Sequence, residues 1–395
     1  MASPATPSSV PAPAAKPYIG GQAVLEGVMM RSPSSFAVVA RRQDGSLHVR
    51  ERPISDPREG YEKWPFFRGI ASLVESLKLG GEALRFSSEQ FEHDLNTSDA
   101  AAAAATSPVL RALSTQLASV LRAVGLSLFT LATTADGEMV RAPEAGQSGD
   151  PSDKKKGGAS FLMLAAMVLF IVLLPQAAAS GVKQLLGLDW ELQSPRFQLL
   201  TGAFKIAIVV GYMLIIRRVP EIRRVFQYHG AEHKTISTYE AGEPLRVENA
   251  RKFTTLHPRC GTTFLVMVAL VSVLVFTALG QVMPKIDTGS RLLDNVVFFL
   301  VKLPFVPVIA ALTFEIQRIF ARYFTKGPLR LVLWPGFMVQ KITTIEPDDR
   351  QLEIALASLR VTLFREEGQA GAAADDVRFA SYEELLASPQ LHGAS

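Results

Sequence analysis

Residues Gly261–Met283 read GTTFLVMVALVSVLVFTALGQVM, twenty-three positions without one charged side chain. A helix that crosses a bilayer needs about 20 consecutive, mostly apolar residues, and this stretch meets that length with no interruption. Three further segments have the same character. Gly157–Val182 carries no charge, Phe197–Ile216 carries only Lys205, and Asn295–Phe314 carries only Lys302, together with Pro304 and Pro307. The pattern predicts a polytopic α-helical membrane protein with about four transmembrane helices.

The positive charges set an orientation. Lys154, Lys155 and Lys156 precede the first segment, Arg217, Arg218, Arg223 and Arg224 follow the second, and Arg318, Arg322, Lys326 and Arg330 follow the fourth. The connections Lys183–Arg196 and Pro284–Asp294 are short and hold few cations. Lys and Arg near span ends mark the cytoplasmic side. Both termini and the 217–260 loop are therefore expected in the cytoplasm, with cytoplasmic α+β segments outside the bilayer.

Composition narrows the function less than distribution does. The chain has 395 residues, 48% of them hydrophobic, and a formal net charge of +4. That small excess sits beside apolar segments, so nothing supports a nucleic-acid partner. A single cysteine excludes an internal disulfide framework and suits a reducing compartment. Residues 1–17, rich in Pro, Ala and Ser, read as a disordered leader rather than a signal peptide, because they lack an apolar core.

The soluble parts divide as follows. Residues 18–99 form an N-terminal segment. In it, Phe36–Ala40 and Leu47–Arg50 flank Gln43-Asp44-Gly45-Ser46, a hairpin signal. Phe66, Ile70, Leu73, Val74, Leu77 and Leu84 then recur at helical spacing. Residues 100–158 read as a biased insertion, with an amphipathic helix over Val109–Leu128 and a polar linker. Spans one and two occupy 159–216, the 217–260 loop follows, and spans three and four occupy 261–316. In the C-terminal segment, 317–367, acids at Glu346, Asp348 and Asp349 start a helix running to about Phe364. Residues 368–395 are read as linker and tail, the last of them as a short acidic helix or an unstructured end.

Three of the six histidines, His229, His233 and His257, fall in one short stretch, three residues short of the only cysteine, Cys260. His229-Gly230-Ala231-Glu232-His233 puts two imidazoles at i, i+4 on one helix face, where they can grip one ion. With Glu232 the segment matches H-x-x-E-H, in which the glutamate is the general base that activates water. Zinc can lower a water's pKa from about 15.7 to about 7. The motif is short, and a polar helix start with surface histidines would read the same. His257-Pro258-Arg259-Cys260 adds a His-x-x-Cys pair suited to zinc; a buried free thiol is the plainer alternative. The candidate ligands are therefore His229, His233, His257 and Cys260 around a divalent metal, with zinc preferred. Four protein ligands would favour a structural ion, three an open, catalytic one. A His257–Cys260 nucleophile pair is a weaker option.

Glu26, Glu240, Glu248 and Glu315 are further candidate ligands or bases, and Arg251 and Arg259 candidate anion-binding groups. Lys205 and Lys302 each fall about eight residues, roughly 12 Å, into a span. Charges at that depth face a bundle interior or snorkel to the headgroups. A polar, anion-accepting site between these spans is one expectation, and snorkelling is the other.

Several motifs together resemble a known family. Tyr18–Arg31, Val225–Thr235, Val247–Arg251, Leu256–Thr263, Phe314–Arg318 and Pro335–Thr344 occur in the order found in the YqhQ-like family of bacterial membrane proteins, domain of unknown function 1385. The resemblance covers about Tyr18–Leu359, apart from the segment near 100–158. It implies a predicted metal-dependent enzyme in the bacterial inner membrane, and no substrate. The leading expectation is thus a metal-dependent, hydrolytic enzyme at the cytoplasmic membrane face, with His229, His233 and His257 or Cys260 holding the ion and Glu232 as base. The competing expectation is a non-enzymatic membrane protein with a structural metal, serving transport, lipid handling or scaffolding. Lipid, an unidentified substrate, and a second copy or another membrane protein are the partners in view.

Overall fold

The computed structural model describes residues 16–54, 64, 78–91, 172–323, 334–366 and 376–388. The helix expected from Phe66 is therefore seen only in its later part. The 109–128 helix, the linker after it and the first half of the first apolar segment lie outside the described residues.

Five strands form an antiparallel meander in sequence order: β1 (Gly20–Val24), β2 (Gly27–Arg31), β3 (Ser35–Arg41), β4 (Leu47–Pro53) and β5 (Val377–Phe379). The Asp44-Gly45 turn joins β3 to β4 with Arg41 opposite Leu47. Gly45 sits at φ 86°, where a side chain would be strained, and Asp44 Oδ1 accepts from the Ser46 amide at 2.9 Å. The strand β5 comes from the segment read as tail; Leu47 pairs with Phe379 at the sheet edge.

The strands β1, β2 and β3 are buried almost without alternation. The reason is cover on both faces. On one face, Val24, Met29, Phe36 and Val38 pack against Leu79, Ala83 and Phe86 of α1, the helix over 78–91. On the other, Ala23, Val28, Met30 and Val39 meet two long helices, α4 (Pro220–Ala241) and α10 (Asp349–Glu366). Phe226, Leu352, Ile354 and Leu356 fill that second layer. The result is an α+β sandwich whose strands and helices come from distant parts of the chain.

The remaining helices are α2 (Leu174–Leu185), α3 (Pro195–Ile216), α5 (Val247–Ala250), α6 (Thr262–Val282), α7 (Arg291–Lys302), α8 (Phe305–Tyr323), α9 (Trp334–Thr343) and α11 (Tyr382–Ala387). The helices α3 and α6, 22 and 21 residues with mean hydropathy 2.2 and 2.5, are long and apolar enough to cross a membrane. The segment expected as a fourth continuous span is broken. Helices α7 and α8 meet at 49° across Leu303–Pro304, so the pair counts as one bent span or a re-entrant loop. Proline at 304 lacks the N–H that would continue α7, and its ring clashes with the preceding turn. The described residues thus hold two candidate spans, or three with the bent pair, where four were expected.

Exposed apolar side chains on these helices fit that reading. Leu199, Ile215, Leu274, Leu292 and Leu300 are all more than half exposed. Water would penalise such a surface, whereas hydrocarbon would not.

Candidate metal centre

The 217–260 segment is mostly helix rather than loop. The helix α4 starts at Pro220 and stops at Gly242, whose φ of 75° is the left-handed cap that glycine adopts freely. On a period of 3.6, His229, His233 and Glu240 share one stripe, since eleven residues bring the direction back to within about 20°. Glu232 lies about 100° round from His233.

Cys260 reaches the same stripe from the head of α6. Its Sγ lies 3.3 Å from His229 Nε2 and accepts from the Thr262 amide at 3.4 Å. That amide is one of the unsatisfied donors at a helix start. One donor atom from each of His229, His233 and Cys260 lies within 4.8 Å of the others, and all three residues are buried. The grouping could hold a metal. A tetrahedral ion with bonds of about 2.0–2.1 Å to nitrogen and 2.3 Å to sulfur places its donors about 3.3–3.6 Å apart. The His229–Cys260 edge already has that span, and the other edges are no longer than 4.8 Å.

Both rings are aimed by the backbone. His229 Nδ1 donates to the Thr343 carbonyl at 3.0 Å, and His233 Nδ1 to the Thr255 carbonyl at 2.5 Å. A carbonyl only accepts, so each Nδ1 carries the proton and each Nε2 carries the lone pair. This is how metal-binding imidazoles are held in the correct tautomer. His233 Nε2 is buried and has no hydrogen-bond partner, a costly state unless a ligand fills it. Burial pushes the His229 pKa down to about 4 and the His233 pKa well below its usual 6.5. Both rings are therefore neutral, able to coordinate at neutral pH.

The seam that brings these pieces together is tight. A Cβ on Gly230 would collide with the Ile345 carbonyl oxygen, and the Ile345 amide donates to Phe226 O at 2.9 Å. Gln340 of α9 brackets His257 from both sides, accepting from its amide at 2.9 Å and donating to its carbonyl at 2.8 Å. The site thus joins α4, the head of α6 and the end of α9.

The other expected residues take different places. His257 stands beside the trio, its ring 5.7 Å from that of His233. Its Nε2 faces Glu240 Oε2 at 3.5 Å, and Glu240 also pairs with Arg259. Arg259 stacks 4.7 Å from the Tyr18 ring. Glu232 points instead toward β1: a Cβ on Gly21 would stand 2.8 Å from its Oε1. Glu26, at φ 51° in the β1–β2 turn, pairs with Arg224 and accepts from Tyr228 at 3.4 Å. Both Glu26 and Arg224 line a separate cleft of about 420 Å³. Arg251 pairs with Asp349, Glu248 is exposed, and Glu315 is half-buried on α8. The parts that spacing alone did not reveal are the Thr255 and Thr343 carbonyls and Gln340. Backbone acceptors leave no mark on residue identity.

Comparison with known proteins places the chain without assigning it a reaction. No solved structure matches. The "Uncharacterized protein YqhQ" of Bacillus subtilis (strain 168) is 29% identical over 366 residues, covering 89% of this chain and 96% of that one. Residues 64–365, well over half the chain, match the family described as "Protein of unknown function (DUF1385)", and the chain belongs to that family.

Proposed function

We propose that the chain is a metal-dependent hydrolytic enzyme working at the cytoplasmic face of a bacterial inner membrane, with both termini cytoplasmic and the first and fourth apolar segments completing the span set. The observation that carries the reading is the buried trio. It offers three donor atoms with both imidazoles locked in the coordinating tautomer, and His233 Nε2 has no other partner. Three protein donors leave a position open, the pattern of catalytic zinc.

A bound zinc would supply Lewis-acid polarisation and acidify water. This chain's residues do the rest. Cys260 would hold the ion as a thiolate, so loading would release a proton. His257, held in place by Gln340 and faced by Glu240, is the group beside the trio best placed to accept a proton from attacking water. Glu240 stabilises the resulting imidazolium, and Arg259 offsets the charge of Glu240. Glu232, on the β1 side of α4, is the competing base that the H-x-x-E-H pattern favours. Peptide bonds and lipid-like esters are the substrates that suit a site at a membrane seam.

The structural-ion reading also has support, because the trio ties α4 to the head of α6. One experiment separates them. Metal content is measured in the purified protein and in His229→Ala, Cys260→Ala, His257→Gln and Glu232→Gln variants. We expect about one ion per chain, lost in the first two variants and kept in the last two. A parent without stoichiometric metal would sink the proposal. A His257→Gln protein that keeps its ion and also complements a deletion strain would favour the structural role. A reporter fused after Glu240 that reads outside the cytoplasm would reverse the orientation.

A further inference from the structure

A second buried cluster lies in the helical bundle. Lys205, midway along α3, is only 6% exposed, and Lys302, the last residue of α7, only 1%. Lys205 Nζ donates to Ser272 Oγ of α6 at 2.7 Å, and Lys302 Nζ donates to Gln176 Oε1 of α2 at 3.0 Å. Both ammonium groups lie against one ring, that of Phe276, at 5.9 and 5.0 Å from its centre. Those two distances laid end to end limit their separation to about 11 Å. The lysines do not snorkel to the surface. They point inward and converge.

Among the described residues, no carboxylate compensates the charge there. Residues 157–188, 197–216, 261–286 and 295–314 contain no Asp or Glu. Among the described residues, neither lysine forms an ion pair with a carboxylate, and each makes a single hydrogen bond, to a neutral acceptor. An ammonium has three donors, so most of the donor capacity at this spot is unfilled. The aromatic faces of Phe276 and Phe298, the latter 4.1 Å from Lys302, soften the burial but accept no hydrogen bond of ordinary strength. An uncompensated buried cation costs several kcal/mol, and two together add mutual repulsion. The break at Leu303–Pro304 falls beside Lys302, and α8 begins at Phe305 with its amide end facing the break. Broken helices at membrane depth are where transport proteins place ions and charged substrates.

We infer that Lys205 and Lys302, converging on Phe276 beside the broken α7–α8 pair, form a binding site for a phosphate group. A phosphate monoester carries about −1.5 to −2 at neutral pH, which matches two ammonium groups better than a single carboxylate does. Its oxygens would take the unfilled Nζ donors, while Ser272 and Gln176 keep the two lysines in place. The phosphate is either free or the headgroup of a lipid drawn into the bundle, and both present the same oxygens.

The test uses the full chain in nanodiscs of phosphatidylcholine, which has no net charge. One arm adds inorganic phosphate, and the other replaces a fraction of the lipid with phosphatidic acid. Thermal stability is read in each. The parent should melt higher in at least one arm, because a ligand that binds only the folded state stabilises it. Lys205→Met and Lys302→Met should weaken that response at least tenfold while metal content stays at the parent level. Lys302→Gln, which keeps a hydrogen-bond partner for Gln176, serves if the methionine variants do not fold. A response in the phosphate arm identifies a soluble ligand, and a response confined to phosphatidic acid identifies a lipid. No response in either arm overturns the inference. So does a response in the lysine variants within twofold of the parent.

Discussion

The His229–His233–Cys260 trio and the Lys205–Lys302 pair are both buried polar clusters, yet they are opposite in kind. The trio presents lone pairs, and its two rings are aimed by carbonyls of Thr255 and Thr343. The pair presents N–H donors, held by one hydroxyl and one amide oxygen. The first has the donor set to suit a cation, and the second to suit an anion. They also differ in support. The two histidines of the trio sit on α4, packed into the sandwich, while the pair sits among helices whose outer faces are apolar. Burial alone therefore says little about function. The sign of what is left unsatisfied says more.

The sharpest test of this contrast is a crossed one. His233→Ala should abolish metal retention, a loss of at least 100-fold in affinity, larger than the 10- to 100-fold typical of changes around the ligands, and leave the phosphate response intact. Lys302→Met should do the reverse. Metal analysis and melting curves on both variants check it, and loss of both responses in either variant would merge the two clusters into one.

Acid should separate them next. In the metal-free protein, His229 titrates near 4 when folded and near 6.5 when unfolded. Below pH 6.5 the unfolded chain takes up a proton that the folded chain refuses, so stability falls as pH drops from 6.5 toward 4. The loss attributable to His229 is on the order of 3 kcal/mol, and His233 adds to it in the same direction. Chemical denaturation from pH 7 to pH 4 measures it, and a His229→Gln variant should show a shallower slope.

Smaller again is the effect of crowding the seam. Gly230→Ala should cost roughly 1–3 kcal/mol, the usual range for overpacking, because the Ile345 carbonyl occupies the space. It should weaken metal binding as well, since Thr343 lies two residues before Ile345. At the low end, Arg251→Ala should leave the melting temperature unchanged. Its pair with Asp349 is exposed, and such pairs contribute little. A large effect there would mean that the pair does more than decorate the surface.

The sequence made some of this legible and hid the rest, for physical reasons. The i, i+4 histidines and the lone cysteine stood out because ligand residues are scarce in the chain, and the structure brings these three together. Glu240 was visible only as an acid. Its place on the His229 stripe follows from helix period, once α4 is known to continue unbroken to Ala241. The long apolar helices α3 and α6 were plain from composition. The break in the next one was signalled by Pro304, but hydropathy averages over a proline and so joined α7 to α8. The strand β5 was missed because three residues, Val377-Arg378-Phe379, give too short a pattern to distinguish from a tail.

That late strand and the helix before it carry a consequence for how the chain matures. The sheet begins at Gly20, yet the layer that seals one face includes Leu352, Ile354 and Leu356, and the sheet edge closes at Phe379. More than three hundred residues of translation separate the first strand from its last cover, with the apolar helices threaded between. Contacts so distant along the chain form slowly and leave a sheet face open meanwhile. The Thr343 carbonyl that orients His229 arrives equally late. The trio is therefore assembled only after the bundle has been laid down, and any ion it holds enters last.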